Sequence, residues 1–253
     1  MERLEDHDLA RLAISVLDLT DLGEDTDTDA ADDLCDRALA AGVAAVCVWP
    51  AYVALCAERL AGTDIKVATV VNFPSGEEPR ADVIDMTTRA LADGADEIDA
   101  VLPYHAWLYG DDAAAAALLD GVREAINERS DLSHGDGLLK VIIETGALPD
   151  RAAIDRATHF AIAHGADFVK TSTGKIEVSA TPEAAEIVLE AIEVSGMPVG
   201  FKASGGVKTL GDARIYIELA ERIMGPGWVS PETFRFGASG LLDTLLAVTA
   251  ERR

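Results

Sequence analysis

The sequence predicts an α/β protein folded as one (β/α)8 TIM barrel spanning residues 1–253, and three observations carry that expectation. Apolar, β-branched runs alternate with alanine-rich helical stretches eight times along the chain. The length of 253 residues suits a single barrel, a fold that commonly needs about 250. Glycines stop several helical stretches just before the next apolar run, at Gly42, Gly62, Gly94, Gly165, Gly196 and Gly225. A doubly wound open sheet is the alternative, but it more often has about five or six strands. No linker, low-complexity tract or second domain interrupts the alternation.

The elements follow in order. The first strand, 16–20, has leucines on one parity and Asp18 on the other. The acidic run 24–29 reads as a solvated loop that starts helix 29–41, where the helix dipole favours carboxylates. Strand 44–49 leads to helix 51–61, and strand 65–73 to helix 80–92. Strand 96–102 precedes the long helix 112–129, and strand 138–145 precedes helix 150–163. Strand 167–172 is followed by helix 182–194, for which Thr181-Pro182 supplies an N-cap and a first-turn proline. Strand 198–204, helix 210–223 and strand 233–238 complete the pattern, with an eighth helix starting near Ser239.

Composition narrows the function. Hydrophobic residues make up 49% of the chain, enough for a large core, yet no run of about 18 apolar residues exists to cross a membrane. The acidic start, Met1-Glu-Arg-Leu-Glu-Asp6, lacks the apolar stretch of a signal peptide. Cys35, Cys47 and Cys56 are odd in number and show no ligand spacing, so neither a disulfide framework nor a metal site is expected. A reduced, cytoplasmic protein is the consequent expectation. The 45 acidic against 21 basic residues give a formal charge of −24, and the basic face that a nucleic-acid partner needs is not visible in the sequence, so no nucleic-acid partner is expected. Self-repulsion of that size is tolerable in strong salt, so a halophile's cytosol is the leading explanation and an acidic mesophilic enzyme the plainer one. Only six of the basic residues are lysines, and four of them (Lys170, Lys175, Lys202 and Lys208) fall between 170 and 208.

Strand parity gives that cluster a direction. Successive side chains of a strand point to opposite faces. Val199 and Phe201 suit the helix layer and leave Lys202 inside; Ile98 does the same for Asp99, and the leucines for Asp18. Lys170 has its own parity in Asp167-Phe-Val-Lys170. A weak repeat, Gly94-Ala-Asp-Glu-Ile-Asp99 against Gly165-Ala-Asp-Phe-Val-Lys170, puts Asp99 and Lys170 at matching positions on even strands. Alternate strands of such a barrel build one interior layer. Cys47 holds the same offset from Gly42, either as a thiol facing the site or as packing. Two buried lysines depress each other's pKa, as desolvation also does. A neutral lysine beside a carboxylate and a second lysine is the equipment of Schiff-base chemistry. The plainer reading is a buried ion-pair network, which seldom repays its desolvation.

Glycine-rich turns follow strands seven and eight, Gly205-Gly206-Val207-Lys208 and Gly237-Ala238-Ser239. These are the two loops in which barrels often bind phosphate, and Thr173-Gly174-Lys175 from the sixth loop adds a third contact. The latter is not a P-loop, because Val169 stands where the first glycine belongs.

Across about residues 10 to 245 the chain resembles the deoxyribose-phosphate aldolase family. The resemblance rests on Leu17-Asp-Leu-Thr, Val46-Cys-Val-Trp-Pro, Thr69-Val-Val-Asn-Phe-Pro-Ser-Gly and Gly94-Ala-Asp-Glu-Ile-Asp-Ala-Val-Leu-Pro-Tyr. It continues through Lys140-Val-Ile-Ile-Glu-Thr-Gly, Asp167-Phe-Val-Lys-Thr-Ser-Thr-Gly-Lys, Gly200-Phe-Lys-Ala-Ser-Gly-Gly-Val-Lys and Arg235-Phe-Gly-Ala-Ser-Gly. It implies a Schiff base on Lys170, proton relay by Asp99 and Lys202 with Asp18 in support, and phosphate held by the loops above. The implied reaction is cofactor-free retro-aldol cleavage of 2-deoxy-D-ribose 5-phosphate to D-glyceraldehyde 3-phosphate and acetaldehyde. The partners expected are that small phosphorylated sugar and, in a homo-oligomer, copies of the chain itself. Another Schiff-base aldolase, or a phosphosugar isomerase on the same barrel, is the alternative. The chain departs from the family at Ala203, where many relatives have proline, and at Gly240, where many have a second serine. It ends Glu251-Arg-Arg253, without the tyrosine-tipped tail of some members.

The charge generates a prediction. A −24 protein repels an anionic substrate and itself until salt screens the field. Activity and melting temperature should both rise as KCl is raised from about 0.1 to about 3 M. A flat or falling response contradicts the halophile reading and leaves the aldolase reading untouched.

Overall fold

The computed structural model describes residues 4–130 and 137–250. Within them eight parallel strands close into a barrel in sequence order. They are β1 (Leu17–Asp21), β2 (Ala45–Val48), β3 (Lys66–Val71), β4 (Glu97–Val101), β5 (Leu138–Ile142), β6 (Phe168–Lys170), β7 (Gly200–Ser204) and β8 (Phe234–Ala238). Closure is made by β8 on β1, with Leu17 opposite Phe236 and Asp18 opposite Gly237. All eight expected strands are present, several of them shorter than their apolar runs.

The helices are α1 (Asp6–Ser15), α2 (Thr28–Ala41), α3 (Val53–Arg59), α4 (Arg80–Ala92), α5 (Tyr104–Leu108), α6 (Asp112–Ser130), α7 (Arg151–Ala163), α8 (Pro182–Ser195), α9 (Leu210–Met224) and α10 (Leu241–Ala250). Their caps follow sequence chemistry. Thr181 accepts from Ala184 N at the start of α8, and Asp27, inside the acidic run, accepts from Ala30 N at the start of α2. Two helices were not among the expected elements. α1 precedes the first strand and packs on α10 and α9 through its Leu9, Ala10, Ala13 and Ile14 face. α5 lies inside the β4–α6 connection. The stretch expected as helix 51–61 is a 3-10 turn, Pro50–Tyr52, followed by the short α3.

Strand parity divides the molecule into two interiors. Leu17, Leu19, Val46, Ile98, Val141, Val169, Phe201, Phe234 and Phe236 are buried in the shell between sheet and helices. Each such side chain stabilises the fold by roughly 1.5–3 kcal/mol on burial. The opposite parity places Asp18, Glu97, Asp99, Lys140, Lys170, Lys202 and Arg235 inside the barrel, each at most 3% exposed. The hydrophobic shell thus holds a charged centre in place.

Candidate active site

Asp99, in the middle of β4, lies where the interior charges meet. Its Oδ2 accepts from Lys170 Nζ at 2.8 Å and from Lys202 Nζ at 2.8 Å, and its Oδ1 accepts from Lys140 Nζ at 2.9 Å. Burial alone would raise the Asp99 carboxyl, but the three ammonium groups outweigh it and hold the group well below the usual carboxylate range. Lys202 donates also to Asp18 Oδ2 at 2.5 Å. Lys140 donates also to Glu97 Oε2 at 2.5 Å. Arg235 bonds Asp18 Oδ1 at 2.6 Å and Glu97 Oε1 at 2.9 Å, while its Nε donates to Pro231 O at 2.6 Å.

The two lysines singled out by the sequence therefore differ in company. Burial lowers both, but Lys202 faces Asp18 as well as Asp99 and ends above the ordinary lysine value. Lys170 has Asp99 alone, shared with two other cations. Burial and the neighbouring Lys202 pull it below the ordinary value against the attraction of Asp99. The even-strand layer that the repeat gives Asp99 and Lys170 does not set Lys202 apart. Lys170 pairs with Lys202 across β6 and β7, and both reach the same Asp99 oxygen. The second carboxylate makes the distinction.

Above this centre, at the C-terminal ends of the strands, lies a cavity of about 370 Å³. All ten loop residues expected from the sequence line it: Thr173, Gly174, Lys175, Gly205, Gly206, Val207, Lys208, Gly237, Ala238 and Ser239. Thr20, Leu22, Gly23, Ser204 and Gly240 join them, with Asp21 held by Gly23 N and Thr26 Oγ1. Gly205 has φ of 81°, and a Cβ there would sit 2.6 Å from Ser179 Cβ, so only glycine fits this turn. Lys175 reaches across the rim to donate to Leu22 O at 2.6 Å. Lys208 is exposed, with its backbone pinned between Asp212 Oδ2 and Thr244 Oγ1. Ser204 and Thr20 lie two residues beyond Lys202 and Asp18, so the cavity stands about 6–7 Å up the barrel from the lysines.

Sequence reasoning missed four residues. Lys140, Glu97 and Arg235 obey the same parity as the residues it found, with Leu139 and Val141, Ile98, and Phe234 and Phe236 on the helix side. Glu144 is the fourth. It follows β5 with a left-handed φ of 49°, is buried, and accepts from Thr173 N at 3.3 Å and Thr173 Oγ1 at 2.5 Å. It thereby fixes the first residue of the Thr173-Gly174-Lys175 loop, and burial pushes its carboxyl up. Periodicity gives no signal for a residue beyond a strand end. Cys47 is fully buried, so it is not an exposed thiol at the barrel mouth; burial raises it and keeps it protonated. Cys35 and Cys56 are buried, as expected of core. Residues 251–253, the chain's tail, lie outside the described residues.

Comparison with known proteins agrees with this geometry. The family model described as DeoC/LacD family aldolase matches residues 12–245. A deoxyribose-phosphate aldolase of Agrobacterium fabrum is 50% identical over 99% of this chain and 95% of its own. A solved structure from Coccidioides immitis, provisionally assigned as a deoxyribose-phosphate aldolase, superposes with a TM-score of 0.83 at 27% identity over 98% of this chain and 88% of that one. The tetrameric deoxyribose phosphate aldolase of Aeropyrum pernix shares the fold, with a TM-score of 0.77 at 23% identity over 98% and 94% of the two chains. A buried lysine of lowered pKa beneath a glycine-lined cavity, in a chain matched from end to end, places this protein in the DeoC/LacD aldolase family.

Proposed function

We propose that this enzyme cleaves 2-deoxy-D-ribose 5-phosphate to D-glyceraldehyde 3-phosphate and acetaldehyde through an imine on Lys170. The observation that carries the reading is the pairing of that amine with the cavity above it. Lys170 is the one interior lysine held below its ordinary value, and the cavity stands a short carbon chain's length away.

The chemistry follows from that arrangement. The open sugar's C1 aldehyde condenses with Lys170 Nζ and loses water, giving a protonated imine. The C3 hydroxyl loses its proton, C3 becomes a carbonyl, and the C2–C3 pair flows into the imine to give an enamine. The bond broken is C2–C3, since acetaldehyde takes two carbons and the phosphorylated aldehyde three. Protonation of the enamine at C2 and hydrolysis then release acetaldehyde and restore the amine. Asp99, hydrogen-bonded to both amines, and Lys202, through water, form the path along which these protons pass, with Asp18 anchoring Lys202. The phosphate takes the backbone N–H groups of Gly206 and Ser239, the opening turn of α10, and the charges of Lys175 and Lys208. Gly240, without a hydroxyl, leaves that end of the cavity to backbone donors. The same reading makes the enzyme a cytoplasmic homo-oligomer working without metal or organic cofactor.

Release of acetaldehyde from 2-deoxyribose 5-phosphate separates this activity from isomerisation or simple binding. Borohydride reduction with substrate or acetaldehyde should trap an adduct that peptide mass spectrometry places on Lys170. Lys170→Ala should abolish trapping, and Lys202→Leu should slow it severely by leaving Lys170 protonated. An adduct on Lys202, or trapping that survives in Lys170→Ala, reverses the assignment.

Lys208→Ala should chiefly raise KM for the phosphorylated sugar and spare non-phosphorylated 2-deoxyribose, because the lost attraction acts equally on ground and transition states. Equal losses on the two sugars contradict a phosphate role for this loop.

A further inference from the structure

The interior charges close into a ring. Starting from Lys202, the contacts run to Asp18, Arg235, Glu97, Lys140 and Asp99, and return to Lys202. Cation and carboxylate alternate all the way round. Three of each make the ring neutral, and every member has a ring partner on both sides. Lys170 is not a member. It hangs from Asp99 by one bond, as a fourth cation for which the ring holds no fourth carboxylate.

We propose that Glu97 and Arg235, which make no hydrogen bond or ion pair to Lys170 and do not line the cavity, are positioning residues that set the charge of Lys170 by keeping this ring neutral. Each occupies the half of the ring farthest from the reacting amine. Arg235 is fixed there by Pro231 O and by the Phe168 ring, whose centroid lies 5.6 Å from its guanidinium carbon. Removing the Arg235 charge leaves the ring negative, which favours protonated Lys170. Removing the Glu97 charge leaves it positive, which favours the free amine. A residue that only supports packing has no reason to move the two in opposite directions.

The groups around Lys170 allow this reading. β1 contributes Asp18, β2 Cys47, β4 Glu97 and Asp99, β5 Lys140 with Glu144 just beyond it, β7 Lys202 and β8 Arg235. β3 contributes no charged side chain to the interior, its Lys66 being exposed at the strand start. Cys47 is neutral. Glu144 lies outside the ring and is common to every variant compared, so it cancels.

The proposal rests on Lys170 being the imine-forming amine, and its test is the acid limb of the pH profile of kcat/KM, which reports the free enzyme's essential base. Arg235→Gln should move that limb to higher pH and Glu97→Gln to lower pH, each by on the order of one unit. The double variant Glu97→Gln/Arg235→Gln, neutral again, should return the limb to its wild-type position even if its rate is reduced. Limbs that stay put, or that move the same way in both single variants, overturn the proposal. Where thermal melts show a single variant unfolded, the test passes to Arg235→Lys, which keeps the charge, and to the double variant. Both must hold the wild-type limb, and displacement in either overturns the proposal. The borohydride adduct tells the two readings apart. An adduct on another lysine defeats the assignment of Lys170, whereas an adduct on Lys170 with unmoved limbs defeats only the role of the ring.

Discussion

Lys170 and Lys202 donate to the same oxygen of Asp99, each at 2.8 Å, and all three side chains are buried inside the barrel. Their nitrogens are therefore at most twice that distance apart. With an effective dielectric constant of about 20, two full charges so placed repel by at least about 3 kcal/mol, equivalent to roughly two pK units. That repulsion favours loss of one of the two protons, and the surroundings decide which. Asp18 stands against Lys202 and holds its proton, while Lys170 is hydrogen-bonded to Asp99, which it shares with two other cations. The two lysines are thus set apart by Asp18, a carboxylate that Lys170 does not touch.

This arrangement is costly to build, because charges taken out of water lose several kcal/mol each unless they are fully paired. The barrel meets that cost through geometry. Eight strands of alternating parity send apolar side chains outward to the helices and leave the inward positions fixed by backbone hydrogen bonds rather than by local preference. A ring of alternating charges then satisfies each of its six ions on two sides. The loops above are free to specialise: glycines line the cavity, and the left-handed Glu144 ties down the turn that carries Thr173.

Much of this was legible in the sequence. Parity placed Asp18, Asp99 and Lys202 inside, the repeat matched Lys170 to Asp99, and the glycine turns placed the cavity, because each depends on a few neighbouring residues. The same parity applied to Leu138–Ile142, Glu97 and Phe234–Ala238 would have added Lys140, Glu97 and Arg235. What parity does not contain is stagger. The Lys202–Asp18 contact joins residues 184 apart in the chain, and it depends on how β7 and β1 are offset around the closed barrel. No local pattern encodes that offset, so parity alone does not choose between the two lysines; the repeat that matches Lys170 to Asp99 and the family resemblance both favour Lys170. α1 went unread for a different reason: it precedes the strand–helix alternation from which the other elements were inferred.

The central claim is that Lys170 is the one interior lysine not neutralised by its surroundings. With only six lysines in the chain, side-chain labelling with ¹³C and ¹⁵N lysine allows each to be followed by NMR as pH is raised, with Lys170→Met and Lys202→Met spectra for assignment. The account predicts that Lys170 titrates below 10.5 while Lys140 and Lys202 remain protonated above it. A Lys170 that titrates at or above that value, or a Lys202 that loses its proton first, contradicts it.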